Sequence, residues 1–384
     1  MKILFLKDQR SKSGNEGTAK VVFSRCIELN KRKIDYLVLY HAKDKFYKSM
    51  LNNNIKVKYL PFPKKSPKYI LHKRLTILEF RKKIRKIIKM NKITHIHVFH
   101  SYLLDFLEKK WGLKITVDCY EAFQNNIKHK VFFSHLFLTP RLFIREMYEK
   151  LIVNNYKKAS IVIAASKAAK KTLIKKYGVK KEKVKIIYNG VDDLKVLDIK
   201  SKKIRNKFNI GYSDKIILSV GRVSKPKGVE DFCEIAKSFR DKKNIKFVFI
   251  GGYLNKLYWK DILSKYQKFV IFPGEVDDVS SFYKISNIFL FLSHRESFGN
   301  VLVEAMQFHL PSIVWNVTGL QEVIIDNYNG YCCPFGNTEY VKKKINHLLN
   351  NKIDYKRISR NAFAQKNEYS VKKNIDKFLY LLQN

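Results

Sequence analysis

Short apolar runs recur along the chain and alternate with longer stretches whose apolar residues are spaced three or four positions apart. The short runs have the length of buried strands, and the stretches between them have the period of amphipathic helices. Strands that alternate with helices form parallel sheets through right-handed crossovers. We therefore predict an α/β fold with strands at residues 2–6, 36–40, 55–60, 94–99, 113–117, 160–166, 184–188, 215–220, 245–251, 268–272, 288–292 and 311–315.

The strand–helix alternation occurs as two series, which predicts two doubly wound, Rossmann-like domains. The series are separated by residues 189–208, where an apolar strand gives way to polar and charged residues. We expect an N-terminal domain over 1–195, a C-terminal domain over 196–367, and a C-terminal helix, 368–384, that packs back on the first domain. Ligands of open α/β sheets bind beyond the carboxyl ends of the strands, so two such sheets would face a cleft that holds the site.

Composition predicts a globular cytosolic protein. Of the 384 residues 46% are hydrophobic, yet no segment approaches the ~20 consecutive apolar residues of a spanning helix. The N-terminal apolar run is too short for a signal peptide. The five cysteines form no C-x-x-C pair, so neither a zinc site nor a disulfide framework is indicated. We expect Cys332 and Cys333 to alternate across a strand.

The formal net charge of +44 indicates an anionic partner, either nucleic acid or a membrane surface. The lysines are spread over both halves of the chain, and no nucleic-acid-binding signature is present. The abundance of Lys, Asn, Ile, Tyr and Phe is also typical of an AT-rich genome. A basic nucleic-acid-binding protein is one alternative, but a specific nucleic acid partner is not expected.

Residues 293–304, SHRESFGNVLVE, carry two glutamates eight positions apart. They follow an apolar strand and open a helix near Gly299 or Asn300, whose backbone N–H groups suit a diphosphate. One carboxylate, Glu296, would accept hydrogen bonds from sugar hydroxyls and the other, Glu304, from a ribose. The pattern predicts a nucleotide-sugar site; the alternative is a capped helix with two solvated glutamates.

A second motif, SVGRVSKPKG at 219–228, places Arg222 and Lys227 in a glycine-containing loop after a strand. Glycine allows the backbone to approach a phosphate, and the two cations can supply a fork and a point charge to one diphosphate. The alternative is a surface turn with two of the many cations of this chain.

Four segments together carry a family resemblance: 161–192, 219–232, 270–283 and 293–306. Their order and spacing resemble those of retaining GT-B glycosyltransferases of the broad family-4 (group 1) type. The resemblance covers most of residues 160–330 and is thin over 1–158. It implies a metal-independent enzyme without a cofactor, and the chain contains no D-x-D pair.

The resemblance implies a role for each matching residue. Arg222 and Lys227 would neutralise the diphosphate, Glu304 would hold the ribose, and Glu296 would lie against the transferred sugar. The remaining donor-binding positions would be Phe298, Gly299, Asn300 and Val301, which line sugar and phosphate, Gly274 and Val276 near the base, and Gly14 and Asn15 in the N-terminal glycine loop.

The N-terminal half departs from the family pattern. The glycine loop 13–20 has Asn15 where a second glycine is usual; its alternative is a plain βα turn. The family often has a histidine near position 118, where this chain has Asp118, which could also cap the next helix. Glu121 and His100 are further catalytic candidates. The histidines at 95 and 97 lack a third ligand, so a metal site is rejected.

The predicted reaction is retaining transfer of a sugar from a nucleotide diphosphate, preferably UDP, to a hydroxyl of a glycan or lipid-linked acceptor. The setting would be assembly of a bacterial surface polysaccharide, such as lipopolysaccharide or capsule, or of a glycolipid. A sugar-nucleotide epimerase or a phosphorylase on the same fold is the alternative within this class.

Residues 70–90 predict a basic amphipathic helix. Leu71, Leu75, Leu78, Ile84, Ile87 and Ile88 lie near one face, with Lys and Arg around them. A helix of this kind can bind an anionic bilayer, which would place the protein on the inner face of the cytoplasmic membrane. The alternative is an ordinary domain helix. At position 309 the chain has His309 where the family usually has glycine.

Overall fold

The computed structural model describes residues 1–8, 17–61, 72–119, 155–194 and 198–384. The chain forms two compact units. Unit 1 consists of Met1–Gly190 together with Val371–Asn384, and unit 2 consists of Val191–Ser370.

Unit 1 contains a parallel sheet with strand order β3-β2-β1-β4-β5-β6-β7. Its strands are β1 (Lys2–Lys7), β2 (Asp35–Tyr40), β3 (Val57–Tyr59), β4 (His95–Val98), β5 (Lys114–Cys119), β6 (Ile161–Ala164) and β7 (Val184–Ile186). The described helices of this unit are α1 (Gly17–Lys31), α2 (Lys45–Asn52), α3 (His72–Met90), α4 (Lys167–Lys175) and α12 (Val371–Gln383).

Unit 2 contains a second parallel sheet with strand order β10-β9-β8-β11-β12-β13. Its strands are β8 (Lys215–Val220), β9 (Ile245–Ile250), β10 (Val270–Gly274), β11 (Ile288–Phe291), β12 (Ser312–Trp315) and β13 (Gly330–Cys333). The described helices are α5 (Asp198–Lys207), α6 (Val229–Ser238), α7 (Lys256–Tyr266), α8 (Ser280–Ile285), α9 (Asn300–Met306), α10 (Thr338–Asn350) and α11 (Lys352–Gln365).

The predicted fold class is confirmed, and each predicted strand run overlaps a strand of the structure. Central strands such as β11 and β12 are buried along their whole length, because helices cover both faces of a doubly wound sheet. This explains the uninterrupted apolar sequence of β11 and the three apolar residues that follow Ser312 in β12. The pair Cys332–Cys333 lies on β13, with Cys333 buried and Cys332 partly exposed, as expected for alternation across a strand.

Each sheet has one position where the chain reverses its direction of strand addition. In unit 1 the chain adds β2 and β3 on one side of β1 and then places β4 on the other side. In unit 2, β9 and β10 are added on one side of β8 and β11 on the other. In unit 2 the loops that follow β8 and β11 therefore diverge to opposite faces and leave a crevice at the carboxyl ends of the strands.

Helix α3 packs its aliphatic face into unit 1. Ile84, Ile87 and Ile88 are buried in the core around Val98. Leu78 was expected on the same face but is exposed. Leu78 precedes Ile84 by six positions, which correspond to a rotation of about 600° around the helix axis. Leu78 therefore points roughly 120° away from Ile84.

The backbone conformation at His309 is one that glycine adopts more readily. His309 follows α9 with a φ of 57°, in the left-handed region that disfavours side chains with a Cβ. Its ring stacks on Phe363 of α11, with centroids 3.9 Å apart and an interplanar angle of 7°. The stacking contact offsets part of the backbone strain.

Candidate donor-binding site

Two loops meet at the switch point of unit 2. The loop after β8 and the loop after β11 are joined at the Pro226 carbonyl, which accepts hydrogen bonds from Ser293 Oγ (3.1 Å) and from the His294 amide (2.9 Å). Gly228 ends the first loop in a left-handed conformation, and a Cβ there would lie 1.9 Å from the Leu292 carbonyl oxygen. Only glycine allows this approach, so the two loops have a fixed mutual position.

The two charged residues predicted for phosphate and sugar lie in contact at this junction. Lys227 Nζ donates a hydrogen bond to Glu296 Oε1, and Ser293 Oγ lies 3.3 Å from the same oxygen. Gly319 packs against the backbone of Glu296, where a Cβ would come within 2.3 Å of the Glu296 carbonyl oxygen. The structure thus brings together an ammonium and a carboxylate that are separated by 69 positions in the sequence.

Glu304 is buried on α9, and its environment was not predicted. Tyr283 of α8 donates its hydroxyl hydrogen to Glu304 Oε2 at 3.0 Å. Burial, together with the neighbouring carboxylate, raises the pKa of Tyr283 well above its ordinary value, so the hydroxyl stays protonated and remains a donor. Tyr283 ends the resembling segment 270–283, but no feature of its sequence context marks it as a partner of Glu304.

The turn into α9 has the geometry that the SFGN sequence requires. Gly299 precedes the helix with a φ of 92°, a value that favours glycine, and Asn300 begins the helix. Phe298 is buried, and its ring packs edge-on against Tyr369 at 5.2 Å. The carbonyl of Val301 lies 3.4 Å from the Tyr283 hydroxyl. A role of residues 298–301 in lining the donor stays a prediction.

The neighbouring strand ends carry the remaining predicted donor positions. Gly274 ends β10 with a φ of 79°, and its carbonyl accepts a hydrogen bond from the Gly251 amide at 2.9 Å. Val276 follows and is partly buried, whereas Arg222 is exposed in the loop after β8. β8, β9 and β10 are neighbours in the sheet, so these positions lie at or after the carboxyl ends of adjacent strands, where the loop with Lys227 also begins.

A partly buried hydrogen-bond network supports the loop after β11. Asp231 Oδ2 lies 2.8 Å from His294 Nε2 and accepts a hydrogen bond from Trp315 Nε1 at 3.0 Å. This carboxylate therefore ties α6 and β12 to the loop after β11. The sequence does not predict this network, because its three members come from distant segments without a shared motif.

Asp118, a candidate catalytic residue, lies on β5 in the interior of unit 1. Arg25 Nη1 donates to Asp118 Oδ2 at 2.8 Å, and both side chains are about 2% exposed. The same guanidinium lies 3.0 Å from His97 Nε2 and donates from Nε to Asn374 Oδ1 of α12 at 3.1 Å. The contacts of Asp118 are those of a buried ion pair that ties α1 to the sheet.

The same network defines the protonation of His97. Arginine only donates, so His97 Nε2 is the acceptor and the ring proton lies on Nδ1, which faces Thr116 Oγ1 at 2.8 Å. Burial lowers the pKa of His97, against the opposing effect of Asp118, and favours the neutral ring. Within the described part of the chain, no group of three His, Cys, Asp or Glu residues is arranged to hold a metal ion.

His100 lies at the switch point of unit 1. It follows β4 and contacts Asp8, which follows β1, through its Nδ1 atom. Burial acts to raise the pKa of Asp8, but the hydrogen bond and charge of His100, with a further hydrogen bond from Tyr102, outweigh burial and hold it well below its usual range. The predicted residues Gly14, Asn15 and Glu121 lie outside the described residues.

Two glycosyltransferase family models and several glycosyltransferases are similar to this chain. The family model described as glycosyl transferases group 1 matches residues 200–365, and that described as glycosyltransferase family 4 matches residues 16–193. A capsular polysaccharide biosynthesis glycosyltransferase, CapM of Staphylococcus aureus, is 30% identical over 201 residues, which are 50% of this chain and 53% of the relative. The chain spans about half the length of the first curated relatives it matches.

Two further similarities extend this picture. An alpha-galactosylglucosyldiacylglycerol synthase of Streptococcus pneumoniae is 25% identical over 251 residues, 62% of this chain and 63% of the relative. The crystal structure of Anabaena Alr3699/HepE in complex with UDP and glucose superposes with a TM-score of 0.80 at 19% identity and covers 100% of both chains, which shows the fold. Taken with the two family models, which follow one another along most of the sequence, these findings show that the chain belongs to the group 1 glycosyltransferases of the GT-B type.

Proposed function

We propose that this protein transfers a sugar from a nucleotide-diphosphate donor to a hydroxyl acceptor with retention of anomeric configuration. The acceptor is a growing glycan or a lipid-linked sugar in surface polysaccharide or glycolipid synthesis. The observation that carries the proposal is the contact between Lys227 and Glu296 at the switch point of unit 2. The buried Glu304 follows on the next helix, α9.

Each group at this corner suits one part of the donor. The Lys227 ammonium and the exposed Arg222 guanidinium supply positive charge for the diphosphate. Glu296 can accept hydrogen bonds from hydroxyls of the transferred sugar. Glu304, held by Tyr283, presents a carboxylate whose remaining acceptor capacity suits a ribose diol.

Catalysis would depend on positioning and on phosphate charge more than on a strong protein base. In retaining transfer the departing phosphate accepts the proton of the incoming hydroxyl on the same face of the sugar. The protein stabilises negative charge that develops on the leaving diphosphate, for which fixed cations are effective. Asp118, bound by Arg25 inside unit 1, is not needed for proton transfer in this scheme.

A UDP-sugar is the preferred donor. Support comes from the HepE structures, which contain UDP, UDP with glucose, or UDP-glucose, although their similarity to this chain extends to the fold alone. The capsular and glycolipid enzymes among the relatives support surface glycans or glycolipids as products.

A panel of nucleotide sugars screened for ligand-induced thermal stabilisation tests the proposal directly, because a ligand that binds the native state raises the apparent melting temperature. A UDP-sugar should stabilise the protein more than uridine does. Arg222→Ala and Lys227→Ala should weaken UDP binding measured by calorimetry and leave uridine binding nearly unchanged. Equal losses for UDP and uridine would contradict the phosphate role.

We also propose that transfer is independent of metal ions. Lys227 and Arg222 would take the place of a divalent cation at the diphosphate. Activity should persist in EDTA, and a complete loss that magnesium restores would refute this part of the proposal.

We further propose that α3 binds an anionic membrane surface. Its solvent side presents Lys82, Lys83, Arg85 and Lys86, while the aliphatic face is already buried in unit 1. The attraction is therefore electrostatic, on the order of 1 kcal/mol for each cation near the surface. Within the described residues, no helix is long and apolar enough to cross a bilayer.

The test replaces these four cations with glutamine and measures binding to liposomes that contain acidic lipid. Binding should fall and should weaken with salt. A matched control replaces four exposed lysines of α4 and the residue after it, Lys167, Lys171, Lys175 and Lys176, which removes the same charge from the same unit. Equal losses in both quadruple variants would show that only net charge matters and would refute a site on α3.

A further inference from the structure

Unit 2 exposes a cluster of large apolar side chains at the carboxyl end of β9. Within five consecutive residues, here called the 253–257 loop, Tyr253 is 45% exposed, Leu254 72% and Leu257 79%. Single exposed apolar residues are common on soluble surfaces, whereas several side by side indicate a surface that meets an apolar partner. The loop contains neither Lys227 nor Glu296, and its Tyr253 forms a bridge to Val223 in the loop after β8.

The backbone of this loop is fixed by the surrounding structure. The Gly252 carbonyl accepts a hydrogen bond from the Val223 amide at 2.9 Å, and Tyr253 forms a bridge to Val223. Asn255 caps α7 by accepting a hydrogen bond from the Tyr258 amide at 3.1 Å. The leucines are therefore held outward by an ordered turn.

An aromatic stack anchors the loop on the core of unit 2. The Tyr253 ring stacks on Trp259 with centroids 5.5 Å apart and an interplanar angle of 13°. Trp259 in turn packs edge-on against Phe272 at 5.3 Å. These ring contacts attach Tyr253 to the core of unit 2, so the segment that carries the two leucines is held in place.

Charges of both signs lie near the loop: the Glu275 carboxylate lies beside Gly252 and Glu230 contacts Tyr258, while the cations lie on α7. Lys256 and Lys260 are exposed one helical turn apart in the first turns of α7, on either side of Leu257. The nearest exposed carboxylate along the helix, Asp261, is paired with Lys265 at 2.9 Å. Apolar side chains beside unpaired cations complement the apolar interior and the anionic headgroups of a membrane surface.

We propose that the 253–257 loop inserts into the interfacial region of an anionic bilayer. Leu254 and Leu257 enter the acyl boundary, Tyr253 lies at the headgroup level, and Lys256 and Lys260 contact lipid phosphates. This surface belongs to unit 2, is separate from α3, and does not depend on the proposed sugar transfer. Three side chains are too few for a stable protein interface but suit shallow insertion.

Flotation of the full chain with vesicles of neutral phosphatidylcholine, with and without phosphatidylglycerol, tests the loop. Leu254→Ser/Leu257→Ser should weaken partitioning to the acidic vesicles by about tenfold or more. The matched control is Ile353→Ser, because Ile353 is 82% exposed in the same unit and lies beside the exposed Lys352. Binding unchanged in the double variant, or reduced as much by the control, would overturn the proposal.

Tryptophan fluorescence gives a second readout that locates the contact. Trp259 is one of three tryptophans; Trp315 is fully buried, and Trp111 belongs to unit 1. Vesicles that carry brominated acyl chains should quench part of the emission, and Trp259→Phe should remove that part. Quenching that persists in Trp259→Phe would place the contact elsewhere and contradict the proposal.

Two other results would assign the loop to another partner. If the leucine double variant changes the sedimentation mass of the lipid-free protein, the loop is an interface between copies of the chain. If it abolishes UDP-sugar binding and leaves vesicle binding intact, the loop belongs to the donor site. Either result would overturn membrane insertion.

Discussion

The two units have the same sheet topology around their switch points, and each places an acidic and a basic side chain in contact there. In unit 1 the pair is Asp8 and His100, with side chains 10% and 3% exposed. In unit 2 the pair is Glu296 and Lys227, 15% and 30% exposed. The same position in the fold thus holds a buried pair in one unit and a more accessible pair in the other.

The difference in exposure indicates different roles for the two pairs. The buried pair of unit 1 stabilises the fold, whereas the more accessible pair of unit 2 can contact a ligand. Unit 1 also buries Arg25 against Asp118, so these two charges neutralise each other away from solvent. In unit 2 the accessible ammonium can exchange its carboxylate partner for a phosphate at small desolvation cost, because part of it already contacts solvent. We infer that unit 2 provides the charged side chains of the donor site, and that Asp118 stabilises the folded state of unit 1.

The largest expected effect is on turnover. Glu296→Ala should lower kcat by about 100-fold or more, because it removes contact with the transferred sugar near the reacting carbon. Glu304→Ala should chiefly weaken donor binding, since the ribose is remote from that carbon. Steady-state kinetics and calorimetry separate the two effects.

A matched control for both variants is Glu339→Ala, whose side chain is 73% exposed on α10 of the same unit. It should behave as the parent protein does. If Glu296→Ala and Glu304→Ala remain folded with near-parental rate and donor affinity, the site assignment in unit 2 is wrong.

The next effect is on the stability of unit 1. Asp118→Asn should lower the free energy of unfolding by about 3 kcal/mol, because it leaves the buried Arg25 without its anionic partner. Asp35→Asn, which disrupts the exposed pair with Lys56, should change the free energy of unfolding far less, because solvent screens that pair. Chemical denaturation measures both.

The double variant Arg25→Met/Asp118→Leu sharpens this test. It should recover much of the stability lost in Asp118→Asn, since replacing both ions removes the unpaired charge. A variant of Asp118 that keeps full stability but loses turnover would instead establish a catalytic role and break the proposed division between the units.

A smaller effect concerns pH. The pKa of Asp8 in the folded protein lies below its ordinary value of 3.8, so the ionised carboxylate stabilises the fold at neutral pH and this contribution is lost as the pH falls through and below that value. Asp8→Asn should therefore melt below the parent protein at pH 7, and the gap should narrow toward pH 3. A gap that stays constant with pH would show that the pair contributes no ionic stabilisation.

The smallest effect is expected at Tyr283. Tyr283→Phe should weaken donor binding by about fivefold, because Glu304 loses the hydroxyl that orients it. Tyr355→Phe removes a comparable hydrogen bond, from a tyrosine hydroxyl to the Asn287 carbonyl at 2.9 Å, and should leave donor affinity unchanged. Equal donor affinity in both variants would show that Glu304 needs no support from Tyr283.

Much of the fold was predictable because the signals are local. Strand β11 is a continuous apolar run and β8 is mostly apolar, and the helices between strands show a 3.6-residue period, so element types and their order follow from the sequence. The Gly299 turn was predictable for the same reason, since its conformation depends on the residue type itself. The prediction for Leu78 was wrong because only the residues of α3 that face the sheet are buried, and Leu78 lies on another side of the helix.

The sequence by itself determined the fold class, the family and the chemical types available at the SFGN corner, because those depend on short-range patterns and on motif order. Only the tertiary structure decided which charges meet. It paired Lys227 with Glu296, buried Asp118 against Arg25, joined His100 to Asp8 and placed Tyr283 on Glu304. These contacts join residues 21 to 93 positions apart, and the pairing and burial of such charges depend on how strands and helices pack, which no local pattern specifies.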